Sequence, residues 1–107
     1  MKHNVIVQDL EQRIRQSHPT SLLMVEEEYD IYNEHGEMDV GLIHPHISYL
    51  IEVKTTDTPK NYKKAKHQLW KDKRFLMKNY YSDKIHCFYA HTDTSMKRGY
   101  NVEEIEI

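Results

Sequence analysis

Two hydrophobic rhythms divide the chain. In the opening stretch Val7, Leu10 and Ile14 recur at spacings of three and four, which predicts a helix, with Asn4 as its cap and Pro19 limiting it to about Ser17. The β-branched run Val5–Val7 would also suit a strand. From Leu22 to Tyr32 the period drops to two, placing Val25, Tyr29 and Ile31 on one face and Glu26, Glu28 and Asp30 on the other. Glu27 then shares the apolar face, so either a bulge turns it out or it has a partner. Asn33-Glu34-His35-Gly36 reads as a turn and Met38 to Ile43 as the returning strand of a hairpin, with His44-Pro45-His46 as the next turn.

Ile47 to Lys54 is the most apolar strand. Alternation sends Tyr49, Ile51 and Val53 one way and Leu50, Glu52 and Lys54 the other. A long helix from about Asn61 to Tyr80 carries Tyr62, Ala65, Leu69, Leu76 and Tyr80 at helical spacing, and a strand follows near Ile85 to Ala90. The tail from Asn101 to Ile107 alternates Val102, Ile105 and Ile107 with glutamates, as an edge strand or a frayed end. The order predicts an α/β fold, an α-β-β-β-α-β core whose mixed sheet is flanked by helices.

At 107 residues there is room for one domain, residues 1–107, with one modest core. A charged fraction of 30% and a hydrophobic fraction of 38% describe a folded, soluble chain, and no segment approaches the roughly 20 apolar residues of a membrane span. The start Met-Lys-His-Asn does not resemble a signal peptide. A single Cys87 excludes a disulfide framework and predicts a reducing, cytoplasmic setting. Although the net charge is only -2, residues 1–53 carry three Lys/Arg against ten Asp/Glu, while residues 54–84 carry ten against three. A positive half suits a phosphate backbone, and an acidic half can concentrate cations.

The chemistry concentrates in Gly36-Glu37-Met38-Asp39 and, thirteen residues after the aspartate, Glu52-Val53-Lys54. Asp39 and Glu52 offer hard oxygen ligands for Mg²⁺ or Mn²⁺, and Lys54 can orient a water or neutralise charge on a phosphoryl group. The eight histidines match no common structural zinc spacing.

These segments, with His67-Gln68-Leu69-Trp70 in the following helix, resemble the PD-(D/E)XK nuclease superfamily, especially its small VRR-NUC and archaeal Holliday-junction-resolvase branches. The resemblance covers about residues 5 to 90 and departs at Met38, where many relatives have proline. It implies a restriction-endonuclease-like fold in which Asp39 and Glu52 ligate the metal, Lys54 assists the attacking water, and Gln68 lies near the active site. It further implies that Glu11 on the first helix completes the metal site, with Glu26, Glu27 and Glu28 as competitors for that role. Lys60, Lys63, Lys64, Lys71 and Arg74 are the expected phosphate contacts, while Tyr62 and Trp70 are expected in the core. By analogy the activity would be structure-selective hydrolysis of DNA, by a homodimer with contacts from Met77, Tyr80 and Tyr81. One alternative within the fold is an RNA endonuclease, some of which take a histidine ligand from the first-helix region, where this chain has His3 and His18. The other is a non-catalytic nucleic-acid-binding module.

Overall fold

In the computed structural model, which describes residues 2–92 and 99–107, α1 (His3–Ser17) precedes a hairpin of β1 (Leu22–Ile31) and β2 (Glu34–Ile43). Then come β3 (Ile47–Lys54), α2 (Pro59–Asn79), β4 (Lys84–His91) and β5 (Asn101–Ile105). The five strands form one sheet in chain order, antiparallel except where β4 runs parallel to β3. A parallel neighbour requires a crossover, and α2 supplies it. The α/β reading and its helix-flanked mixed sheet hold, and the acidic tail is the edge strand β5.

Each helix covers one side of the sheet. Ile6, Val7 and Leu10 of α1 pack with Val40, Ile51, Val53 and Ala90. Leu69 and Leu76 of α2 pack with Tyr29, Ile31, Met38, Ile43, Leu50 and Cys87. Helix α2 begins sharply because the Asn61 N–H donates to Thr58 Oγ1 at 3.1 Å and Pro59 opens the first turn without an N–H to lose. Helix α1 begins earlier than expected: Asn4 lies inside it, and the capping position falls to Lys2, which has no side chain able to accept there.

The hairpin departs from expectation in two ways. Its turn is Tyr32-Asn33, both with positive φ (49° and 62°), flanked by the pair Ile31 and Glu34. That is the two-residue geometry whose twist matches the strands. Gly36 therefore sits within β2, where Tyr29 lies so close that a Cβ at Gly36 would stand 2.5 Å from its Cζ.

The second departure concerns the faces. Residues two apart on a strand should share a side, yet Val25 packs on the α1 side and Tyr29 and Ile31 on the α2 side. Likewise Met38 faces α2 and Val40 faces α1. Both reversals fall at one place, because Val25 pairs with Val40 and Glu27 with Met38, leaving Glu26 opposite Asp39. Glu26 has φ 49°, a left-handed value that costs a non-glycine residue about 1–2 kcal/mol. A sharp local twist thus exchanges the two faces without shifting the register, and it leaves Glu27 exposed.

Candidate active site

That twist sets up the site. Pairing between β2 and β3 covers only Val40–Leu42 against Tyr49–Ile51, so the strands part just before Asp39 and Glu52. Strand β3 stays straight there, because its pairing with β4 continues to Lys54 opposite His91. The Asp39 carboxylate fills the vacated ladder position: the Val53 N–H donates to its Oδ2 at 2.9 Å. Asp39 is thereby buried to 4% exposure and fixed against the strand that carries Glu52 and Lys54.

Glu52, on the α2 side, is 5% exposed. Its Oε1 lies 3.7 Å from Lys54 Nζ, and its Oε2 is buried with no hydrogen-bond partner among the described residues. Burial first, then the negative charges of Asp39 and Asp72, push the Glu52 carboxyl well above its ordinary range, with Lys54 opposing them. A buried carboxylate beside a second one, offset only in part by Lys54, is what a cation would relieve.

Helix α2 brings two side chains to the same region. Gln68 Nε2 lies 2.7 Å from Asp72 Oδ1 and 3.2 Å from the Tyr29 hydroxyl, which itself donates to Asp72 Oδ1. Asp72 is fully buried in the middle of the apolar stripe, its Oδ2 without a hydrogen-bond partner among the described residues. Burial chiefly, with a further push from Asp39, raises its pKa to about 7 against the lowering by Tyr29 and Gln68. The Tyr29 hydroxyl is held protonated by burial and then by the charge of Asp72, with Glu52 adding to it.

Asp72 and Tyr29 are the residues that sequence reasoning missed. The signal for Asp72 was an acid at position 72 between the buried positions 69 and 76. Tyr29 was read as core, which it is, but its hydroxyl belongs to the site.

Asp39, Glu52, Lys54 and the neighbourhood of Gln68 are brought together as expected. Glu11 is not: its Oε1 accepts from the Arg15 Nε and Nη2 at 3.1 and 3.0 Å, one turn along α1. The residue of α1 that meets Asp39 is His3, with Nε2 3.2 Å from Oδ2, because the helix starts early and its first turn lies over the parted strands. Glu26, Glu27 and Glu28 are exposed on β1. Among the described residues no group of three or more His, Cys, Asp or Glu is arranged to hold a metal ion. By donor type, Asp39 and Glu52 nevertheless fit a hard divalent cation, Glu52 with a free oxygen and Asp39 with Oδ1 beyond the bonded Oδ2.

Of the expected phosphate contacts, Lys60, Lys63, Lys64 and Arg74 are exposed along α2. Lys71 is half-buried, its ammonium donating to the His35 carbonyl at 3.0 Å. Trp70 is not core, since position 70 falls on the outer side of α2; it is 40% exposed, stacked on His67 and under Arg74. A hollow lined by His18, Leu42, His44, Ile47 and Tyr49 on the α1 side touches none of these residues, whereas another lies against Trp70, Lys73, Arg74, Met77 and Ile107 on the outer side of α2. Cys87 is buried and its thiol pushed up to about 11 by desolvation, which removes it as a nucleophile.

Comparison with known proteins finds no matching family model, no matching curated protein and no matching solved structure. The functional reading therefore rests on the site itself. Among the described residues no helix is long and apolar enough to cross a membrane.

Proposed function

We propose that the protein is a metal-dependent nuclease of the PD-(D/E)XK kind, hydrolysing phosphodiester bonds of DNA. The observation that carries the reading is the meeting of Asp39 and Glu52, both buried, with Lys54 at 3.7 Å, where β2 and β3 part. A scaffold has no use for two buried carboxylates held beside each other, since each desolvated charge is costly unless something compensates it. Helix α2, with eight Lys/Arg and only Asp72 as an acid, starts five residues beyond Lys54 and supplies the positive surface a phosphate backbone needs.

Asp39 and Glu52 would hold Mg²⁺ or Mn²⁺, which when bound supplies Lewis-acid polarisation of the phosphoryl oxygen. The chain's own groups do the rest. The Val53 N–H holds Asp39 against β3 and aims its carboxylate. Lys54, partly screened from water and beside Glu52, offers N–H hydrogen bonds that orient an attacking water or stabilise the charge that develops on the phosphoryl oxygens. Lys60, Lys63, Lys64 and Arg74 fix the backbone in register, which favours recognition of shape over base sequence. The exposed Met77, Tyr80 and Tyr81 at the end of α2 are the surface proposed for a homodimer on branched DNA. A cytoplasmic location is part of the same proposal.

One observation favours the RNA endonuclease as a second reading: His3 contacts Asp39, where a histidine ligand would have to be. Cleavage of labelled four-way junction, duplex and single-stranded DNA and of single-stranded RNA, in Mg²⁺, Mn²⁺ and EDTA, tests both. Metal-dependent cutting of DNA supports the proposal, cutting of RNA alone selects the second reading, and binding without cutting leaves a non-catalytic module.

A further inference from the structure

Trp70 is the only tryptophan of the chain, and α2 leaves it 40% exposed while Ala65, Leu69 and Leu76 of the same helix are fully buried. Exposure of one apolar side chain is ordinary. What sets this ring apart is how it is held. His67, three residues earlier, stacks on it at 5.9 Å between centroids and 14° between planes, and the guanidinium of Arg74, four residues later, lies 5.1 Å from the ring centre. Spacings of three and four put the three planar groups in one row along the helix, so the indole is ordered before anything binds. Beside it lies an open hollow of about 340 Å³ lined by Trp70, Lys73, Arg74, Met77 and Ile107, and none of these five side chains is acidic. Lys73 belongs to its wall, the ammonium donating to the Ile107 carbonyl at 3.1 Å. Lys63 and Lys66 extend the same row toward the start of the helix, and both are exposed.

We propose that this row is a stacking platform for single-stranded nucleic acid: an unpaired base occupies the hollow against Trp70 and Arg74, while Lys63 and Lys66 hold the phosphates of the same strand. Its place in the substrate rests on the nuclease reading and narrows it to DNA with an unpaired segment near the cleaved bond, as at a branch point. Position 70 falls two residues after Gln68, about 200° around α2. The platform therefore takes the flanking strand and not the bond that is cut. The helix is about 10–12 Å across, which a few nucleotides span at roughly 3.4 Å each. Charge and ring together select this occupant. A second copy docking through the same surface would set Lys63, Lys66 and Arg74 against their own like charges. An acidic peptide would answer the cations and leave the row of planar groups unused. A closed duplex presents its phosphates but keeps its bases stacked on one another. An unpaired strand offers both, a line of phosphates for the cations and a π-face for the indole and the guanidinium.

Because the chain has a single tryptophan, its fluorescence reports the platform directly. In EDTA, where binding is read and cleavage is not, oligothymidine is expected to quench it, whereas an abasic strand of equal length and charge, or a blunt duplex, leaves it nearly unchanged. Anisotropy of the labelled strands then measures affinity. Trp70→Ala is expected to bind oligothymidine about tenfold more weakly, with affinity for the abasic strand unchanged and Trp70→Phe recovering most of the loss. Quenching by the abasic strand as strong as by oligothymidine, or an equal loss for both strands in Trp70→Ala, overturns the platform and leaves α2 a face that binds by charge alone. Fluorescence that changes with protein concentration in the absence of DNA overturns it in favour of a second copy on the hollow. Should Trp70→Ala fail to fold, the titration of the wild type decides by itself. A protein quenched by oligothymidine that cuts nothing keeps the platform and loses the nuclease, and one that cuts without quenching does the reverse.

Discussion

Asp72 makes the folded protein sensitive to pH in a direction opposite to most carboxylates. Its pKa rises from the ordinary 3.8 to about 7, chiefly because burial penalises the charged form. A group whose folded-state value lies above its unfolded one binds more protons when folded, so the contribution of Asp72 to stability is fully present below about pH 4 and is lost as pH rises through 7. The rise corresponds to about 4 kcal/mol, all of it lost above pH 7, at most about 1.4 kcal/mol for each pH unit in between. Asp72 is fully buried, so solvent screening does not reduce this figure. Asp72→Asn keeps an acceptor for the Tyr29 hydroxyl and has no charge to desolvate. Urea unfolding of both proteins at intervals from pH 4.5 to pH 8 gives the two profiles; their difference removes every other titrating group. Across that range the variant gains on the wild type by about 3 kcal/mol, the rest of the loss lying below pH 4.5. Parallel profiles would refute the reasoning and mean that Asp72 ionises as freely folded as unfolded.

Glu52→Gln stabilises the metal-free protein at pH 7.5, because Glu52 too is pushed well above its ordinary value, and thermal melts with and without Mg²⁺ will show the rise in Tm on adding metal shrink at the same time; a destabilised variant would contradict the buried charge. Gly36→Ala drives a Cβ to 2.5 Å from the Tyr29 Cζ, and since the ring is backed by Phe75 at 4.3 Å it has no room to retreat, so urea titration is expected to show a loss of about 1–3 kcal/mol. Alanine at Lys60, Lys63 or Lys64 should each reduce the salt dependence of DNA binding by about one in the log–log slope. Lys71→Ala should do less, its ammonium already engaged with His35; fluorescence anisotropy at several salt concentrations measures both.

Element order, the spans of β1 and β3 and the apolar stripe of α2 through Ala65, Leu69 and Leu76 were legible because period and capping act locally: Thr58-Pro59 starts a helix wherever it stands, and Ile47 to Lys54 alternates regardless of its neighbours. The pair Asp39 and Glu52 was legible from spacing and from the family resemblance, which carried over the expectation of a metal site. Three things were not. The exchange of faces at Glu26 and Asp39 depends on one left-handed residue that no propensity marks, so Val25 and Tyr29 were assigned a common face they do not have. The turn at Tyr32-Asn33 was displaced by Gly36, whose glycine serves the packing of Tyr29 and not the turn. Which residue of α1 meets Asp39 depends on where the helix starts and how it crosses the strands, a tertiary property that replaces Glu11 with His3.

The most direct test of the central claim separates turnover from cation binding at one residue. In Lys54→Ala, calorimetry should find Mg²⁺ or Mn²⁺ binding largely unchanged, because Asp39 and Glu52 remain, while cleavage of the best DNA substrate falls by at least about a hundredfold. Cleavage at the wild-type rate in that variant, or a wild type with no affinity for either cation, would contradict the account.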